Sequence, residues 1–345
     1  MKKPIFAIVT DIHLEQSNLE QRKGLFKQVK IVMEQMAIKK LMILGDVFES
    51  RKAIPENVLN CFGDIITDLY NADTEIFAIP GNHDKLVYSK RESYLTPFEH
   101  YPGFTLFQDN GEIQIDELLV FMSPFYEQEI WLKEFEHYFK TKNVNALKGG
   151  SIMLSHLAVT GSKNNNGESV ENGISKGLFE RFNKTFLGHY HNTHEVNKNI
   201  IHVPSICQKN FGEDPNKGLT IVYSDSSYEI INLRFREYVN IEFDLASITK
   251  RQIDKIVSSH LNSENPPYIK AKFYGTESEV KSIDKDQFNR LGISVKMHIK
   301  EIEDSIEYSQ HEEIKEYDLQ SLTEALKEFC QIEGLNFKEG IKYLK

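Results

Sequence analysis

Five polar motifs constrain this chain more than anything else in it, because each follows directly on a short apolar run. They are Asp11-Ile12-His13, Gly45-Asp46, Gly81-Asn82-His83-Asp84, His156 and Gly188-His189-Tyr190-His191. The runs before the first three, Pro4 to Thr10, Leu41 to Leu44 and Glu75 to Ile79, read as buried strands. Polar residues placed where such strands stop leave the sheet edge together. That edge is where α/β folds assemble their sites.

The intervening segments read as helices. Leu25, Phe26, Val29, Val32, Met33 and Met36 recur at helical spacing, and so do Val58, Leu59, Phe62, Ile65, Ile66 and Leu69 after Pro55. A β-α-β-α-β order implies parallel strands covered by helices. Beyond Pro102 the pieces shorten. Phe104 to Phe107, Leu118 to Met122 and Ser151 to Ser155 read as strands, with a helix near Glu127 to Thr141. Gly161 to Gly173 reads as a polar loop. Ile200 to Val203, Leu219 to Tyr223 and Tyr228 to Asn232 read as a β-meander. The expected fold class is α/β, with two sheets face to face and helices on the outside.

Residues 1–238 form the expected main domain, and 239–302 a small α+β unit of strand, helix, strand, helix and strand. An acidic linker over 303–316 and helices over 317–345 would follow. Leu319, Leu322, Leu326 and Phe329 form one apolar stripe there.

Net charge is −10, which taken alone argues against a nucleic-acid partner. The acidity is uneven, however: Glu277 to Asp318 holds 12 acidic residues against 6 basic ones. A basic groove elsewhere is therefore compatible with the total. No apolar run approaches the roughly 20 residues of a membrane helix, so no membrane partner is expected. Cys61, Cys207 and Cys330 are far apart and fit reduced thiols in a cytoplasmic protein.

The strand-end motifs gather two Asp, one Asn and up to five His. A carboxylate can bridge two cations, and a pair of divalent ions explains such a donor list economically. Mixed nitrogen and oxygen donors with an amide suit Mn²⁺, Fe²⁺ or Zn²⁺. Asp-x-His is expected to put both side chains on one face of an extended segment. His100, His137, His194, His202, His260, His298 and His311 carry no such signal and read as structural.

In that order, the five motifs resemble those of the calcineurin-like metallophosphoesterases, whose fold is a β-sandwich flanked by helices. Finer features resemble the SbcD-type DNA repair nuclease subunits within that family. Gly45-Asp46-Val47-Phe48 resembles that branch, and Arg51-Lys52-Ala53-Ile54 is similar to the T-even phage recombination endonuclease subunits. Pro204-Ser205, Asn210-Phe211-Gly212-Glu213 and Lys217-Gly218 resemble the segment that closes the nuclease domain.

The resemblance implies a Mn²⁺-dependent DNA exonuclease or endonuclease, with Mg²⁺ the alternative ion. Asp11, His13, Asp46 and His191 would hold one ion, and Asp46, Asn82, His156 and His189 the other. His83 would protonate the leaving oxygen, oriented by Asp84. Arg51, Lys52, Lys85, Lys90, Arg91 and Lys163 would track DNA phosphates. Residues 239–302 would cap the DNA. The stripe at Leu319, Leu322, Leu326 and Phe329 would bind an SbcC-like SMC-type ATPase. A homodimer within a heterotetramer is implied, working in bacterial or phage-infected cytoplasm; the apolar helices around Val58 and Phe62 suit it, and those positions equally suit the core. Glu15 and Glu49 depart from the branch, adding negative charge near a phosphate path and leaving the balance of exonuclease and endonuclease open. The alternative is a phosphoesterase for small-molecule or protein phosphate esters. A scaffold without catalysis should have lost metal donors, and here each expected position carries a donor-type residue.

Overall fold

The computed structural model describes residues 2–141 and 150–300, together with 326, 327 and 337. Strand β1 (Pro4–Val9), helix α1 (Leu19–Gln35), strand β2 (Lys40–Leu44), helix α2 (Glu56–Tyr70) and strand β3 (Glu75–Ile79) open the chain. The three strands run parallel, as the β-α-β-α-β order requires. Strand β4 (Phe104–Leu106) extends their edge beyond β3.

A second group follows: β5 (Gly111–Ile115), β6 (Leu118–Ser123), α3 (Gln128–Thr141), β7 (Ser151–His156), β8 (Lys184–Gly188), β9 (His194–Asn197) and β10 (Ile200–His202). The chain then returns to the first sheet with β11 (Gly218–Tyr223) and β12 (Tyr228–Asn232). The two sheets have six strands each, in the orders β12-β11-β1-β2-β3-β4 and β5-β6-β7-β8-β10-β9.

The meander expected from Ile200 onward does not form. β10 pairs parallel with β8 in the second sheet, whereas β11 pairs antiparallel with β1 in the first. Three short apolar strands in sequence look alike whether or not they are neighbours. Only tertiary pairing separates them.

Period-two alternation builds the layers. Phe6 and Ile8 of β1, with Met42 and Leu44 of β2, meet Val120, Met122, Ile152 and Leu154 of the second sheet in one core between the sheets. Ala7, Val9, Leu41 and Ile43 point the other way, onto Leu25, Phe26 and Val29 of α1 and Phe62 and Ile66 of α2. Trp131 and Phe135 of α3 cover the outer face of the second sheet against Phe121, Met153 and Leu187. The result is a mixed α/β fold of two large sheets flanked by helices.

Val58 and Phe62, which suited either a homodimer surface or the core, are 1% and 0% exposed and belong to the α1/α2 core.

Strand β13 (Tyr238–Asp244), helix α4 (Lys250–Leu261), strand β14 (Tyr268–Gly275), short helices α5 (Glu277–Lys281) and α6 (Lys285–Arg290), and strand β15 (Ser294–Ile299) follow. These strands make a separate, all-parallel sheet in the order β13-β14-β15. Phe243, Ile253, Val257, Phe273 and Phe288 give it a core of its own. Thr249 and Thr276 each close a capping box on the helix that follows. Residues 303–316, and Leu319, Leu322 and Phe329 of the terminal stripe, lie outside the described residues; Leu326 is helical.

Candidate metal centre

All five motifs arrive at one place, the carboxyl edges of the two sheets. Asp11 and His13 follow β1, Asp46 follows β2, Asn82 and His83 follow β3, His156 ends β7, and His189 and His191 follow β8. The loops after β1 and β2 run side by side: Asp11 N–H donates to the Gly45 carbonyl at 3.1 Å and His13 N–H to that of Asp46 at 3.0 Å.

Asp-x-His does not converge through extended backbone, as the sequence suggested. Asp11 and His13 have φ of 51° and 48°, Asp46 has 50° and His189 has 93°. Left-handed backbone is costly for residues with a Cβ and concentrates at functional sites. These turns aim the side chains of all four residues inward. Gly81 marks how tightly the loops close, since a Cβ there would lie 2.2 Å from Asp46 Oδ1.

The donors fall into two clusters. In the first, His13 Nε2 lies 3.2 Å from His191 Nε2 and 3.9 Å from both Asp11 Oδ1 and Asp46 Oδ2. His191 Nε2 is 3.7 Å from Asp11 Oδ1. In the second, His156 Nε2 lies 3.4 Å from Asp46 Oδ1 and 3.1 Å from Asn82 Oδ1. His189 Nδ1 approaches the same amide oxygen at 2.9 Å.

This donor set fits cations. Asp11 Oδ1 is buried with no hydrogen-bond partner among the described residues. A buried, unpaired carboxylate oxygen needs an explanation, and a bound ion supplies one. His13 Nε2 and His191 Nε2 face each other at 3.2 Å, a spacing that a shared proton or a shared cation satisfies. Asp11, His13 and His191, Asp11, Asp46 and His156, and His13, Asp46 and His83 each bring their donor atoms within 4.8 Å of one another, close enough to share an ion.

Electrostatics tie the clusters together. Burial opposes a charge on His156, but Asp46 overrides it and lifts the imidazole to about 9. Burial likewise opposes ionisation of Asp46, and His156 with His13 and His83 brings its carboxyl well below the usual range. His189 is lowered to about 4 by burial and by the neighbouring His156.

His83 is held from three sides. Its backbone N–H donates to Asp46 Oδ1 at 2.8 Å, its Nδ1 meets the Glu49 carbonyl at 2.7 Å, and its Nε2 meets Arg51 Nη2 at 2.8 Å. Asp84 does not touch the imidazole. Its carboxylate accepts N–H groups from Val47, Phe48 and Gly81 at 2.9, 3.1 and 2.8 Å. It therefore pins the second and third motif loops together, and any hold on His83 passes through the backbone.

The basic residues divide. Lys52, Lys90 and Lys163 are exposed and lack carboxylate partners among the described residues. Arg91 pairs with Asp109 at 2.6 Å. Arg51 is exposed but engaged with His83 and with Tyr88 Oη. Lys85 cannot track phosphates. It is 0% exposed, its Nζ donates to the Lys90 carbonyl at 3.0 Å, and it lies 3.4 Å over the Tyr126 ring.

Four residues behind the histidines were not assigned from sequence. Glu49 Oε2 meets His13 Nδ1 at 2.7 Å and Lys209 Nζ at 2.6 Å. Glu213 Oε1 meets His191 Nδ1 at 2.8 Å, and its Oε2 lies 3.5 Å from Lys217 Nζ. Burial opposes the charge on Glu49, yet His13 and Lys209 bring it down to about 2. Glu213 is lowered too, against its burial, by His191 and Lys217. The resemblance singles out Asn210-Phe211-Gly212-Glu213 and Lys217-Gly218, and Glu49 as a departure from the branch, but gives none of these a role behind the histidines.

Residues 5–261 match the family described as Calcineurin-like phosphoesterase. No curated protein matches the chain. Among solved structures, one crystal structure is 11% identical with a TM-score of 0.43, covering 67% of this chain and 99% of that one. Another, a dimetal phosphatase from Danio rerio, is 9% identical with a TM-score of 0.45, covering 64% of this chain and 93% of that one. Among the described residues no helix is long and apolar enough to cross a membrane. With the family match spanning both sheets and every strand-end motif, the chain belongs to the calcineurin-like phosphoesterases and is a metal-dependent phosphoester hydrolase.

Proposed function

We propose that the protein is a two-metal DNA nuclease that cleaves phosphodiesters with water, as exonuclease, endonuclease or both. It would serve double-strand-break processing, recombination or replication beside an SMC-type ATPase. The observation that carries the two-metal reading is the divided orientation of Asp46. Its Oδ2 faces His13 and its Oδ1 faces His156, so one carboxylate serves both donor clusters. Asp11, His13 and His191 complete one set, and Asn82, His156 and His189 the other. Mn²⁺ suits these mixed donors, with Mg²⁺ the alternative. When bound, the ions offset phosphate charge and lower the pKa of an attacking water.

His83 then acts on the leaving 3′-oxygen. The Glu49 carbonyl fixes its Nδ1, which leaves Nε2 to work. Arg51 occupies that nitrogen in the free protein, and an arriving phosphate draws the guanidinium away.

DNA is favoured over a small phosphate ester by a groove of about 450 Å³ whose lining includes His13, Glu15, Glu49, Lys209, Arg234, Arg236, Tyr238 and Tyr268. Arg236 lies 3.7 Å over the Tyr268 ring, and that ring stacks on Tyr238 at 4.7 Å. Cations interleaved with aromatics suit a nucleic-acid strand, whereas a small phosphate ester needs neither. The β13-β14-β15 unit, which supplies Tyr238 and Tyr268, would cap the DNA. Leu319, Leu322, Leu326 and Phe329 would dock on the ATPase, in an assembly built on a homodimer.

The deciding experiment compares Mn²⁺ with Mg²⁺ on single- and double-stranded DNA, with and without the ATPase, beside an aryl phosphate. Cleavage of DNA supports the reading. Rapid hydrolysis of the aryl phosphate with DNA untouched sinks it and favours the small-ester alternative. Truncation before Tyr317 tests the partner: it should abolish co-purification of the ATPase, and retention would refute the stripe's role.

A further inference from the structure

The two donor clusters differ in what stands behind their histidines. In the first, both imidazoles face carboxylates: His191 Nδ1 is hydrogen-bonded to Glu213 Oε1 at 2.8 Å, and His13 Nδ1 lies 2.7 Å from Glu49 Oε2, an ion-pair contact outside hydrogen-bond geometry. In the second, His156 Nδ1 rests on the neutral Leu44 carbonyl at 2.7 Å. His189 points Nδ1 at Asn82, and among the described residues its Nε2 has no hydrogen-bond partner.

The carboxylates are themselves fixed. Lys209 reaches both, with Nζ on Glu49 at 2.6 Å and its backbone N–H on Glu213 at 3.2 Å. Asn210 Nδ2 donates to Glu213 at 3.0 Å. Lys217, fully buried, donates to the His191 carbonyl at 2.6 Å and stands 3.5 Å from Glu213.

A carboxylate beside Nδ1 favours the imidazole as the Nε2 donor and raises its basicity more than a neutral carbonyl does, and where it accepts Nδ1–H, as Glu213 does, it also orients the ring. The His13 and His191 Nε2 atoms are the pair facing each other across the first cluster. We infer that the two halves of the centre are unequal by construction, with Glu49 and Glu213 as positioning residues that make the Asp11/His13/Asp46/His191 half the tighter site, filled first. This rests on the two-metal reading and adds an order of loading to it. The exchangeable ion then lies beside Asn82, His156 and His189.

The test is calorimetric titration of the metal-free full chain with Mn²⁺ alone. Wild type should bind two ions in separate steps. Glu49→Ala should weaken the tighter step by about 10- to 100-fold and leave the weaker step unchanged. Glu213→Gln should do the same, with a melting curve to establish folding. Should the buried Glu213 variant fail to fold, Glu49, whose side chain is 35% exposed, carries the test. Asn82→Ala should move only the weaker step. Equal steps in wild type, or a Glu49→Ala variant that moves neither step or the weaker one, overturn the inference and leave the two-metal reading standing. Wild type binding fewer than two ions overturns that reading as well.

Discussion

Arg51 Nη2 and His83 Nε2 meet at 2.8 Å, and a guanidinium can only donate. The His83 nitrogen is therefore the acceptor, and its proton sits on Nδ1, directed at the Glu49 carbonyl. Proton delivery from Nε2 requires Arg51 to leave and Nε2 then to take up a proton from solvent, making the imidazolium that protonates the leaving oxygen. His83→Ala should lower the cleavage rate by about 10²- to 10⁴-fold while two ions still bind. Loss of an ion in that variant would make His83 a metal donor, an arrangement His13 and Asp46 permit. Arg51→Ala combined with His83→Ala should cost less than the sum of the single effects, because the two side chains act through one contact.

Asp46 is the donor common to both clusters. Asp46→Ala should abolish hydrolysis and reduce the bound metal below two ions per chain, measured by elemental analysis after dialysis. Cleavage at an appreciable rate in the folded variant would refute its bridging position.

Gly81 admits no side chain. A Cβ would meet Asp46 Oδ1 at 2.2 Å and Asp46 N at 2.5 Å. Gly81→Ala should destabilise the metal-free protein by about 1–3 kcal/mol, the usual cost of forced overpacking. Denaturant titration reads the stability, and metal affinity should fall with it.

Lys85 offers a pH test away from the metal donors. Burial lowers its ammonium from 10.5 to about 7. Below pH 7 both folded and unfolded chains carry the charge, and the fold bears the cost of burying it. Between pH 7 and 10.5 the unfolded chain keeps the proton that the folded one has lost, so this residue's contribution to stability rises with pH. Lys85→Met should flatten that rise in Tm across the interval. An unchanged slope would place the ammonium in a more polar setting than its burial implies.

Much of the main domain was legible because period and punctuation agree there. β1, β2 and β3 are short apolar runs that stop at Thr10-Asp11, Gly45 and Pro80, and α1 and α2 carry apolar residues at helical spacing between them. The donor residues were legible through their position after those strands. Three things were not. The sheet membership of β10 and β11 depends on long-range pairing that short apolar runs do not encode. Lys85 looks like any loop lysine until Tyr126 covers it. Glu49 and Glu213 are 164 positions apart in sequence, and only folding brings Glu49 to Lys209, four residues before Glu213.

The left-handed backbone at Asp11, His13, Asp46 and His189 also governs how mutations there will read. An alanine removes the donor but keeps a conformation that costs roughly 1–2 kcal/mol for a residue bearing a Cβ. Glycine removes the donor and relieves the strain, so a donor-to-glycine variant can be more stable than wild type while inactive. Asparagine tolerates the turn and preserves most of the shape at the two aspartates. A survey of these four positions by alanine alone would mix the loss of an ion with the persistence of a bent chain. Comparing glycine with alanine at each position separates the two, and the difference measures how much folding energy the protein holds in reserve at its own reaction centre.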